Sequence, residues 1–120
     1  MRATLGIVTL IFGMMFSCGE PPQNLARDTA AALGGAITTA QTQYQTSCTA
    51  NKTQQVCQVI DKAVAAQNAL ITADETYCGW PVGTGTNSNN PCVPVANATA
   101  ALQAAIVNAN AFITQLKAVL

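Results

Sequence analysis

Residues 95–120 read VANATAALQAAIVNANAFITQLKAVL, and the spacing of their apolar side chains decides the fold. Val95, Ala98, Leu102, Ala105, Ala109, Phe112, Leu116 and Val119 recur at alternating steps of three and four, with Ile106, Ile113 and Leu120 forming a second column beside them. A helix turns once in about 3.6 residues, so these positions share one face and make a broad apolar stripe. The stripe is wider than the seam of a two-stranded coiled coil, which points to a bundle.

Two earlier segments keep the same rhythm. Val56, Val59, Ala63, Ala66, Leu70, Ala73 and Tyr77 form one stripe, flanked by Ile60 and Ile71. Ala26, Ala30, Leu33, Ile37, Ala40 and Tyr44 form another, interrupted by Gly34-Gly35. Each glycine costs about 1 kcal/mol against alanine inside a helix, and a kink or a close helix contact at Gly34 is the expected reason. Cys48 to Gln55 is a short polar break with Asn51 or Thr53 as the expected N-cap. Gly79 to Pro94 holds too much Gly, Asn, Thr and Pro to continue a helix. These lengths predict an all-α fold, an up-down-up three-helix bundle whose alanine-heavy seams leave a thin core.

Upstream of the bundle the chain changes character. Arg2 precedes a weakly polar to apolar run, Ala3 to Ser17, that includes Leu5, Ile7, Val8, Leu10, Ile11 and Phe12. A charged start, an apolar middle and a small-residue exit are the parts of an export signal. The run falls short of the ~20 residues that a bilayer-spanning helix needs.

Its exit, Met15-Phe16-Ser17-Cys18, resembles the lipobox of bacterial lipoproteins, in which a small residue precedes the cysteine that becomes the lipidated start of the mature chain. The resemblance implies a signal peptide over 1–17, lipid attachment at Cys18, and a tether over 18–23 in which Pro21-Pro22 keeps the chain extended. The bundle domain then occupies 24–120. Gly19, where aspartate is absent, implies outer-membrane sorting in a diderm bacterium. Ordinary secretion, with cleavage after Gly19, is the alternative reading.

Cysteine arithmetic fits this division. The chain has five cysteines, and setting Cys18 aside leaves Cys48, Cys57, Cys78 and Cys92. Four cysteines in a small exported domain imply two disulfides. Cys57 and Cys78 stand at opposite ends of the middle helix, roughly 30 Å apart at about 1.5 Å rise per residue. A disulfide needs Cα atoms about 4.4–6.8 Å apart. The expected pairs are therefore Cys48–Cys57 and Cys78–Cys92, one at each pole, the second closing a loop over 78–92.

Composition removes several classes of function. There are five Lys/Arg, five Asp/Glu and no histidine, and Arg27, Lys52, Lys62 and Lys117 are scattered. Nucleic-acid binding needs clustered cations against phosphate, so none is expected. Without histidine or close cysteine spacing there is no expected metal site, and a Ser-His or Cys-His nucleophile is excluded. Gly83-Thr84-Gly85 lacks the lysine and strand of a phosphate loop, and no cofactor is expected. Asn51-Lys52-Thr53 and Asn97-Ala98-Thr99 match the glycosylation sequon, a pattern that arises often by chance. Asp74-Glu75 is the sole adjacent carboxylate pair; neighbours on a helix point to different faces, so a solvated helix end is expected rather than an acid/base pair.

The loop after the middle helix stands apart. It carries the single tryptophan and exceeds the about 2–8 residues usual between bundle helices. Trp80, with Pro81, Thr84, Thr86 and Asn87, makes the candidate partner-binding surface; the plainer expectation is Trp80 folded as a lid onto Tyr77 or Leu102. The expected protein is a small exported, membrane-anchored envelope lipoprotein, non-enzymatic, acting as a structural or protein-interaction factor with an envelope protein as partner. The alternative is a carrier or sensor with a cavity for a small apolar ligand among Leu70, Leu102, Ile106 and Phe112.

Overall fold

The computed structural model describes residues 22–86 and 88–120; the signal, Cys18 and Asn87 lie outside the described residues. Helix α1 spans Pro22–Ala50, α2 spans Gln55–Cys78, a 3-10 turn covers Ala96–Ala98, and α3 spans Thr99–Val119. The fold is all-α, with each helix packed against both others.

Cross-helix hydrogen bonds fix the directions. Near the start of α1, Gln23 reaches Asp74 near the end of α2, and Gln67 Nε2 donates to the Ala30 carbonyl, so α1 and α2 are antiparallel. Val95, just before α3, donates its N–H to the Tyr77 carbonyl at 2.8 Å, which reverses the chain again. At the far pole the Tyr44 hydroxyl donates to the Val119 carbonyl, holding the last turns of α1 and α3 side by side. The up-down-up arrangement follows.

The core is built from the expected stripes, rotated slightly. Leu33, Leu70, Leu102, Ile106 and Leu116 are its fully buried large aliphatics, interleaved with Ala26, Ala40, Ala63 and Ala109. In α2 the buried edge at the first turns is Cys57 and Ile60, while Val56 and Val59 stay half-buried. The Cys48–Cys57 bridge turns Cys57 inward toward α1 and carries the register with it. Both expected disulfides are present, with Cα separations of 5.6 Å for Cys48–Cys57 and 4.4 Å for Cys78–Cys92.

Two local expectations are corrected, and at Gly34 the second of two is met. Pro22 and Gln23 are not part of an extended tether: they form the first turn of α1, where proline's missing N–H would have no intrahelical partner anyway. Neither Asn51 nor Thr53 caps α2; Gln54 holds that position without a side-chain bond, and Asn51 Oδ1 instead accepts from the Thr53 N–H in a turn of its own. Gly34 marks a close approach within a continuous helix, since a Cβ there would stand 2.8 Å from Gln67 Nε2.

Candidate functional site

The pole where α1 begins, α2 ends and α3 begins carries the long loop, which hydrogen bonds and a disulfide fasten along its length. Helix α2 terminates in a Schellman motif, with Gly79 N–H on Thr76 O at 3.2 Å and Trp80 N–H on Glu75 O at 2.8 Å. Thr84 closes a turn on the Pro81 carbonyl through both its N–H, at 3.2 Å, and its hydroxyl, at 2.6 Å. The return strand of the loop is held by Val93 N–H on Cys78 O at 3.3 Å, beside the Cys78–Cys92 bridge.

Beneath the loop lie the two carboxylates. Asp74 is 0% and Glu75 2% exposed, so the expected solvated helix end is overturned. The reason is geometric: the loop folds back over the last turn of α2 and covers both side chains. Glu75 Oε2 accepts the Gly83 N–H at 2.9 Å and the Gly85 N–H at 2.7 Å. Gly83 and Gly85 have φ of 98° and 82°, a backbone that a side chain would strain and that aims both N–H groups inward. A buried carboxylate ringed by amide donors is well satisfied, and such charge-assisted bonds are about twice as strong as neutral ones.

Asp74 is served differently. Gln23 Nε2 donates to Asp74 Oδ2 at 3.4 Å and to the Thr86 carbonyl at 3.0 Å, so one amide ties α1, α2 and the loop together. Burial pushes the Asp74 carboxyl up from 3.8 to about 6; the Gln23 bond opposes this, the Glu75 charge adds to it and the Arg27 charge opposes it. The two carboxylates are engaged by different partners. Each holds a part of the scaffold.

Trp80 is half-buried, packed against the core, and its indole N–H donates to the Pro91 carbonyl at 3.3 Å. It is thus partly the expected lid, with one edge at the surface. Pro81 is exposed, while Thr84 and Thr86 are half-buried. Asn87 falls outside the described residues. Gln23, Asp74 and Glu75 are the site residues that sequence reasoning missed. For Glu75 alone there was a local hint, a carboxylate at a helix end followed by a loop with two closely spaced glycines and no charged residue; nothing local points to Gln23 or Asp74.

The opposite pole offers a cleft of about 460 Å³ between α1 and α2, lined by Gln41, Tyr44, Gln45, Lys52, Ile60 and Asp61 beside the Cys48–Cys57 bridge. It lies away from the apolar cavity expected for a carrier: Leu70, Leu102 and Ile106 are wholly buried in the continuous core, with Phe112 packed against it. Among the described residues no three His, Cys, Asp or Glu side chains cluster as metal ligands, and no helix is long and apolar enough to cross a membrane. Two disulfides belong to a non-reducing, extracytoplasmic environment. No protein-family model, curated protein or solved structure matches this chain.

Proposed function

We propose that the chain is a small envelope lipoprotein, exported by its N-terminal signal and anchored through Cys18, that acts without catalysis as a structural or protein-interaction factor. One observation carries this reading. The bridges consume Cys48, Cys57, Cys78 and Cys92, so the cysteine they leave over is the one inside Met15-Phe16-Ser17-Cys18. A cysteine after a small residue at the end of an apolar export signal is where a bacterial lipoprotein takes its acyl chains. Several chains together anchor stably, where a single one is marginal.

The non-enzymatic part of the reading rests on the carboxylates. Asp74 and Glu75 are engaged with Gln23, Gly83 and Gly85, which gives them a scaffold role. Intact-mass measurement of the membrane-extracted protein tests the anchor. A start at Cys18 with two or three acyl chains is expected, and Cys18→Ala should block maturation or release the domain from membranes. An unmodified start at Glu20 would replace this reading with ordinary secretion.

A further inference from the structure

Among the described residues the exposed large apolar side chains are Val82, Val93, Val95, Val107 and Leu120, and the two most exposed lie in one loop. Val82 is 84% and Val93 68% exposed, and Val95 is exposed beside them. All three belong to the loop 79–95, which also exposes Pro81, Pro91 and Pro94 and contains no charged residue. Charge lies on the helices instead: Arg27 and Asp28 are exposed in the second turn of α1, and Lys52, Asp61, Lys62 and Lys117 are in the other half of the bundle. The loop is an uncharged apolar cap on one pole, whereas the far, charged pole carries Lys52 and Lys117.

The loop pole is also where the chain enters the bundle. Pro22 opens α1 there, and Gln23 bonds the loop at the Thr86 carbonyl. Cys18 is four residues before Pro22 in sequence, and four residues reach at most about 14 Å. Helix α1 runs 29 residues, so the charged pole stands about 44 Å farther along the axis. An acyl anchor at Cys18 therefore holds the loop pole, and not the charged one, near the bilayer.

Resting on the Cys18 reading above, we infer that the loop 79–95 docks on the lipid surface, with Val82 and Val93 entering the boundary between headgroups and acyl chains and Trp80 beside them. The loop is a second contact alongside the acyl anchor, and it sets the bundle upright with its charged pole toward water. The loop itself carries no cation, so its contact rests on apolar burial rather than on anionic headgroups, and on a zwitterionic surface it is indifferent to salt. A tryptophan with one apolar and one hydrogen-bonded edge suits that interface. The Gly83 and Gly85 N–H groups bond Glu75 inside the protein and bring no bare donors to the lipid.

The single tryptophan makes the test direct. Mature acylated protein is reconstituted in phosphatidylcholine vesicles, with or without bromine near the top of the acyl chains. Trp80 emission should fall at least about twofold in the brominated vesicles, at low and high salt alike. Val82→Asp/Val93→Asp should still float with the vesicles yet lose the quenching, and Val82→Leu/Val93→Leu should keep it. Flotation with unquenched Trp80 in the natural protein would overturn the docking and leave the loop free for an envelope protein. Quenching that survives in the Asp pair would also overturn it, reducing the effect to tethered proximity. Failure of the Cys18 reading shows separately, as an unmodified mass and no flotation, and removes the docking geometry with it.

Discussion

The two poles of the bundle are each closed by one disulfide, yet they are built on different principles. At the Cys48–Cys57 pole the bridge joins the last turn of α1 to the first turn of α2 across residues 51–54, and exposed polar side chains surround it. At the Cys78–Cys92 pole the bridge closes a longer excursion whose shape comes from Gln23, Asp74 and Glu75. A bridge limits how far a loop can stray. Buried acceptors decide which conformation it takes.

Removing the bridges is the largest perturbation that separates these roles. The sequence separations are 9 and 14 residues, and chain entropy assigns about 3 kcal/mol to each, with little difference between them. Alanine pairs at Cys48/Cys57 and at Cys78/Cys92 should therefore shift urea midpoints by similar amounts while far-ultraviolet circular dichroism stays helical. A much larger loss for the second pair would mean that the buried carboxylates depend on the bridge to keep their partners.

The response to pH comes next, through Asp74 at the loop pole. Asp74 titrates at about 6 in the folded chain against an ordinary 3.8, chiefly because it is buried. The folded state thus holds the proton more tightly than the unfolded state. That contribution to stability is fully present below pH 3.8 and is lost as pH rises through about 6, a span of about 3 kcal/mol at about 1.4 per unit. Denaturant midpoints measured across this range should fall with rising pH, and Asp74→Asn should flatten the slope. A slope unchanged in that variant would assign the titration elsewhere.

Glu75→Gln removes charge but keeps one acceptor for the two glycine amides, at an expected cost of roughly 1–2 kcal/mol. Hydrogen exchange at Gly83 and Gly85 should quicken while amides of the 51–54 turn stay unchanged. The smallest effect serves as a control away from both poles. Gly35 has open space for a Cβ, so Gly35→Ala should stabilise by about 1 kcal/mol. Gly34→Ala should gain less, because Gln67 must give up its bond to the Ala30 carbonyl to admit the new methyl. Thermal melts of the two variants distinguish them.

The helices and the bridges were legible because their physics is periodic or one-dimensional. Leu102, Ile106, Ala109 and Leu116 announce their face by spacing alone, and the length of α2 dictates which cysteines can meet. The loop pole was not, because its order depends on groups far apart in sequence. Asp74 and Glu75 look solvated until a loop is known to fold over them, and Gln23 lies 63 residues from the Thr86 carbonyl that it holds. Pro22 is expected in an extended tether and instead opens a helix, because a proline suits either place and the local sequence alone does not separate them.

The two bridges have a consequence for biogenesis. They join cysteines that are consecutive along the domain, first with second and third with fourth. An oxidant acting on the domain as it emerges N-terminus first would find Cys57 as the newly arrived thiol for Cys48, and later Cys92 for Cys78. Native pairing then needs no reshuffling by thiol–disulfide exchange. Such a domain can be matured by a strong, unselective oxidase alone, without an isomerase to correct its errors.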